Sequence, residues 1–171
     1  MRPYLQNGYD HLLFSYHGIP ARHLHNRKVQ QVQDCIAAGG CVAAGAEKNK
    51  NCYRYEVFET TKLVTEALQI PKDKFSLSFQ SRLGKGWLEP FTDIRLAQLP
   101  KEGIKRLLIV SPAFVSDCLE TLEELAIRGR EIFLNAGGES YQMIPCMNLH
   151  PLWVETLTGI ILKFTFHDSL P

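Results

Sequence analysis

Apolar positions in this chain follow two rhythms. Short apolar or alternating runs read as strands, and stretches with apolar residues three or four apart read as helices. His11 to Tyr16 carries Leu12, Leu13, Phe14 and Tyr16 and reads as a buried strand ended by Gly18 and Pro20. Residues Arg22 to Asn51 show no strong periodicity and include Gly39-Gly40, Gly45 and Asn49-Lys50-Asn51. A structureless stretch of that length inside a compact domain is usually functional or mobile. Arg54 to Gln69 places Val57, Phe58, Val64, Ala67 and Leu68 on a helical stripe that ends near Pro71. Phe75 to Phe79 alternates as a strand, and Thr92 to Leu99 is a short helix stopped by Pro100. Lys105 to Val110 is the clearest buried strand, because Leu107-Leu108-Ile109-Val110 holds no polar residue. Cys118 to Asn135 is the best helix, with an expected cap at Asp117 and a stop at Gly137-Gly138. Tyr141 to Pro145 is a brief strand, and Pro151 to Phe164 a closing helix.

Strand and helix therefore alternate four times. That order predicts an α/β fold, a single three-layer α/β/α domain around a four-stranded parallel sheet. Ligands of such sheets sit beyond the carboxyl ends of the strands. His17, Gln80-Ser81 and Pro112 to Asp117 all fall there. The sequence holds neither a phosphate-binding P-loop motif nor a dinucleotide fingerprint.

Composition narrows the function classes. A formal net charge of +1 gives no reason to expect a nucleic-acid partner. No apolar run approaches the roughly 20 residues of a membrane span. The opening Met1-Arg2-Pro3-Tyr4-Leu5-Gln6-Asn7 lacks the apolar segment of a signal peptide, so a cytoplasmic location is expected. Five cysteines cannot all pair within one chain, and in a reducing compartment they are thiols or metal ligands.

Several residues could carry chemistry, and each has a plainer reading. His17 ends a strand, where a neutral imidazole can accept a proton or bind a metal, or simply bond to backbone. Asp117 and Glu120 fit a capping box, and Glu124 stands one turn after Glu120. Two carboxylates at that spacing favour a bound cation or proton, though most such pairs are merely solvated, and Arg128 could neutralise Glu124. Trp87 follows the turn Gly84-Lys85-Gly86 and is either a lid on the core or a wall for a flat ligand. Cys35, Cys41 and Cys52 could supply thiolates to a metal, with His23 and His25 nearby for a zinc site. Their spacings, Cys-x5-Cys and Cys-x10-Cys, match no familiar zinc pattern, and free thiols explain them equally. Cys118 and Cys146 are expected to pack in the core.

Four segments in order resemble the carboxy-terminal half of ferrochelatase. They are Phe14 to Pro20, Phe79 to Gly84 with Trp87 to Asp93, Ser111 to Glu124, and Ile144 to Asn148. The histidine segment combined with Ser116-Asp117-Cys118-Leu119-Glu120-Thr121-Leu122 is the specific part. The resemblance covers the chain except an irregular, cysteine-containing insert at 24–51. It implies that residues 1–171 form one carboxy-terminal chelatase lobe of a two-lobed enzyme: an excised domain, a truncated product or half of a split enzyme.

The activity implied is insertion of Fe²⁺ into protoporphyrin or coproporphyrin with release of two protons, late in haem synthesis. By that resemblance His17 and Glu120 are the catalytic and metal-handling pair. Trp87, Gln80, Ser81 and Phe114 line the porphyrin pocket, and Asp117 and Glu124 form a polar path to Glu120. Partners implied are the porphyrin and the amino-terminal lobe, or a second copy of the chain. Some bacterial members hold a [2Fe–2S] cluster, for which Cys35, Cys41 and Cys52 would supply three of four ligands. Two positions depart from many relatives: Cys118 stands where histidine is common, and Arg128 where the acidic file continues. Other readings are a cobalt chelatase and a non-catalytic porphyrin- or metal-binding module.

Overall fold

The computed structural model describes residues 1–24 and 52–166. A short helix α1 (Arg2–Leu5) precedes strand β1 (His11–His17), and a 3₁₀ turn (Ala21–His23) follows it. Helix α2 (Tyr53–Ala67) leads to β2 (Phe75–Gln80), then α3 (Thr92–Gln98) and β3 (Arg106–Val110). The next helix is continuous but not uniform. It opens as α4 (Leu119–Thr121), widens into a π-helical stretch (Leu122–Gly129) and closes as α5 (Arg130–Asn135). Strand β4 (Ser140–Met143) and helix α6 (Pro151–Phe166) complete the chain.

The four strands form one parallel sheet in the order β2-β1-β3-β4. The expected three-layer α/β/α architecture is therefore the one observed. β1 and β3 are central, which is why both are nearly continuous apolar runs. Alternation along β1 sends Leu12, Phe14 and Tyr16 to one face and Leu13 and Ser15 to the other. The first face packs with Val57 of α2, Phe79, Leu108, Val110 and Ile144. The second packs Leu13, Leu107 and Ile109 against Leu96 and Leu99 on one side and Leu125 and Phe133 on the other. Phe133 is fully buried and is capped by Gly138, where a Cβ would come within 2.1 Å of its ring.

Helix ends follow local chemistry. α2 stops because Gln69 turns left-handed, with φ 54°, and the Ile70 N–H returns to the Thr65 carbonyl at 2.9 Å. Pro71 then blocks continuation. α6 differs from the other long helices in leaving its apolar side chains uncovered: Leu152, Val154, Ile160, Ile161 and Phe164 are all exposed. Among the described residues no helix is long and apolar enough to cross a membrane.

Candidate active site

Parallel pairing brings the ends of β1 and β2 level. His17 is the register partner of Gln80, and β3 ends beside them with Ser111. His17 Nδ1 lies 2.6 Å from the Gly18 carbonyl. A carbonyl can only accept, so Nδ1 is the donor here, and in the neutral tautomer the lone pair stands on Nε2. The His17 carbonyl accepts the Tyr53 hydroxyl at 2.7 Å, which ties the strand end to α2. The Phe114 ring, from the turn after β3, stands 6.0 Å from the imidazole at 40°.

Trp87 reaches the same place through a second pairing. Pro20 and Trp87 form an antiparallel bridge, with Ala21 N–H donating to the Gly86 carbonyl and Leu88 N–H to the Ile19 carbonyl. Gly18 is what permits this approach. A Cβ there would sit 2.8 Å from the Gln80 carbonyl oxygen and 3.3 Å from the Trp87 ring. His17, Trp87 and Phe114 are thus gathered at one end of the sheet.

Glu120 approaches from the helix, and the cap differs from the sequence expectation. The N-cap is Cys118, not Asp117. The Cys118 N–H donates to Thr121 Oγ1 at 2.9 Å, so the hydroxyl of Thr121 takes the place expected for the Glu120 carboxylate. Asp117 is occupied with the loop after β4 instead. Its Oδ2 accepts Asn148 Nδ2 at 2.7 Å, and its Oδ1 accepts the Cys146 N–H at 3.3 Å. Burial acts to raise its pKa, but the bonds from Asn148, Cys146 and Thr121 outweigh it and hold the carboxyl below its ordinary value.

The Glu120 carboxylate is left free of the cap. Cys118 Sγ donates to Glu120 Oε2 at 3.1 Å. That bond first, and then Glu120's own backbone N–H, push its pKa below the ordinary glutamate value. Glu120 and His17 are brought to the same end of the sheet through Gln80, the register partner of His17, whose Nε2 donates to the Glu120 carbonyl at 2.9 Å. Cys118 and Cys146 do not pack in the core as expected; both are half-buried at its rim. Burial first, then the neighbouring Asp117, pushes the Cys146 thiol up to about 12.

Gln80 and Ser81 lie beneath this site with their polar groups engaged. Gln80 is only 4% exposed, and its Nε2 donates to the Glu120 carbonyl at 2.9 Å. Ser81 adopts a left-handed φ of 60°, and both its N–H and its hydroxyl donate to Glu124 Oε2 at 3.1 Å. Glu120 and Glu124 consequently have separate partners. Arg128 stands closer to Glu123, at 3.3 Å, than to Glu124, at 3.9 Å. Glu124 and Arg128 also border a cleft of about 230 Å³ with Ser81, Arg82 and Asp93. None of His17, Trp87, Phe114 or Glu120 lines it, but Gln80, which donates to the Glu120 carbonyl, does.

Cys52 is buried in the core face beneath α2. Cys35, Cys41 and His25 fall outside the described residues, and His23 is exposed in the 3₁₀ turn. Among the described residues no three His, Cys, Asp or Glu side chains group to hold a metal ion. Two contributors were missed by sequence reasoning. Cys118 could have been found from its place two residues before Glu120, whereas Tyr53 carries no local signal.

Comparison with known proteins identifies a family. The family model described as Ferrochelatase matches residues 2–164. A ferrochelatase of Pseudomonas putida KT2440 is 49% identical over 164 residues, covering 95% of this chain and 48% of the relative. That of Pseudomonas entomophila L48 is 49% identical over 160 residues, covering 93% and 48%. That of Ectopseudomonas mendocina is 47% identical over 158 residues, covering 91% and 46%. The chain spans about half the length of the curated relatives it matches. With a match along almost its whole length, and with the histidine and glutamate segments meeting at one end of the sheet, the chain belongs to the ferrochelatase family.

Proposed function

We propose that this chain is one lobe of a cytoplasmic ferrochelatase, inserting Fe²⁺ into a protoporphyrin or coproporphyrin that lies against His17 and Glu120. The observation that carries the reading is the convergence of the His17 and Glu120 segments at one end of the sheet, through Gln80, which pairs with His17 and donates to the Glu120 carbonyl. Metal insertion displaces two pyrrole protons, so two acceptors beside the ring are what the reaction needs. His17 and Glu120 supply them. The same two groups can hold the incoming ion in passing. Two protein donors bind a divalent ion more weakly than the four of a structural site, which suits release to the four ring nitrogens.

Phe114 flanks the imidazole, Trp87 lies against Gly18 next to it, and the two rings serve as walls for the flat macrocycle. Gln80 and Ser81 support the pocket floor. Asp117 and Glu124 form the polar approach to Glu120, with Arg128 closing its outer end through Glu123 and Glu124. Iron is favoured over cobalt because the matched family and relatives are named ferrochelatases.

The half-length match favours a requirement for the complementary amino-terminal half, which supplies the facing wall. The exposed apolar side chains of α6 and Leu119 and Leu122 beside Glu120 fit a surface that another lobe covers. A porphyrin titration with and without a separately produced amino-terminal half tests this. A large gain in affinity on mixing supports the two-lobe reading. Equal affinity in both cases, with no insertion, favours a binding module.

A further inference from the structure

Five buried polar residues form a line through the second core face that packing alone does not explain. Ser15, Ser78, Thr92, Gln80 and Ser111 are each no more than 4% exposed. Their proton directions are fixed by the acceptor at one end. Gln80 Oε1 can only accept, so Ser15 Oγ–H donates to it at 2.8 Å. Ser15 must then accept from Thr92 at 2.8 Å, and Thr92 from Ser78 at 2.8 Å. Ser111 adds a second hydroxyl to Gln80 Oε1 at 3.3 Å. With its oxygen so held, the Gln80 amide turns its nitrogen to the Glu120 carbonyl. A flipped amide would set oxygen against oxygen there.

We propose that Gln80, oriented by Ser15, is a positioning residue that holds Glu120 in place for metal insertion by tying down its backbone carbonyl. This rests on the assignment of Glu120 above. A buried polar line is costly unless each member is satisfied, and satisfied it specifies a single arrangement. Here that arrangement sets the height of the first helical turn, just before the π-helical stretch begins. Glu120 is thereby gripped at two points, its carbonyl by Gln80 and its carboxylate by Cys118.

The test is zinc insertion into protoporphyrin IX by this chain mixed with the complementary half, comparing Gln80→Leu, Thr92→Val, Thr92→Ser and Glu120→Gln. Loss of one such hydrogen bond predicts a roughly tenfold lower kcat for Gln80→Leu, a larger change than that in porphyrin KM. Thr92→Val, remote from the site, lowers kcat in the same sense and Thr92→Ser restores it. Adding Gln80→Leu to Glu120→Gln costs nothing further. Parental kcat in Gln80→Leu, or additive losses, overturns the proposal. If Gln80→Leu does not fold, Thr92→Val against Thr92→Ser decides. An inactive parental mixture would count against the functional reading instead. The tie is then judged by amide exchange over 119–129, which Gln80→Leu accelerates if the tie exists and leaves unchanged if it does not.

Discussion

Gly18 and Gln80 meet backbone to backbone at the end of the sheet: the Gly18 N–H donates to the Gln80 carbonyl at 2.7 Å, and a Cβ on Gly18 would stand 2.8 Å from that same oxygen. This contact sets where His17 leaves β1 and where Trp87 can approach. Gly18→Ala must push the strand ends apart, because the obstructing atom is main chain rather than a flexible side chain. The expected result is loss of most insertion activity with a destabilisation of about 1–3 kcal/mol, in the range of overpacking. Urea denaturation and an insertion assay on the same sample check both parts.

Tyr53 fastens the His17 carbonyl to α2. Tyr53→Phe removes only the hydroxyl and leaves that carbonyl short of a partner. A stability loss of about 1 kcal/mol is expected. Insertion should slow more than porphyrin binding weakens, since the histidine moves while Trp87 and Phe114 stay. A binding titration beside the rate measurement separates the two.

Phe133 is fully buried between the sheet and the Gly138 turn. Phe133→Ala should cost about 3–5 kcal/mol through lost burial and the cavity left behind. Thermal and urea unfolding measure this. A cost below 1 kcal/mol would mean that the second core face can collapse around the gap.

Acid sensitivity should come partly from the far end of the sheet. Asp10 accepts the Arg106 guanidinium at 2.9 Å and the Lys105 and Arg106 N–H groups at 3.0 and 2.8 Å. The Arg106 side chain first of all holds its pKa below the ordinary value, against a smaller opposing effect of burial. A depressed carboxyl pKa stabilises the fold above the unfolded-state pKa, and that contribution is lost as pH falls through the folded one. Asp10→Asn should therefore lower stability at pH 7 and flatten its decline below about pH 4. Denaturation midpoints at several acidic pH values test the slope.

Much of this was legible in the chain because burial writes itself into composition. Leu12 to Phe14 and Leu107 to Val110 are unbroken apolar runs since both strands are covered on two faces. His17, the last residue of such a strand, stands at the end of the sheet where ligands of parallel sheets gather. The cap at Asp117 was misjudged for an equally physical reason. Its carboxylate answers to Asn148, which is 31 residues away, while the nearer Thr121 serves the helix start. The Gln80 tie to Glu120 spans 40 residues and leaves no local pattern. The π-helical stretch over Leu122–Gly129 was also invisible, because its apolar positions are compatible with an ordinary amphipathic helix.

The central claim is that His17 and Glu120 handle metal and protons at one site of a ferrochelatase lobe. The most direct measurement is anaerobic zinc insertion into protoporphyrin IX, followed by fluorescence, for this chain combined with its complementary half. The account predicts turnover that falls at least a hundredfold in both His17→Ala and Glu120→Gln, while the dissociation constant for the porphyrin stays within about threefold of the parent, since removing an interaction made only in the transition state lowers kcat and spares binding. Turnover at the parental rate in either variant would contradict it.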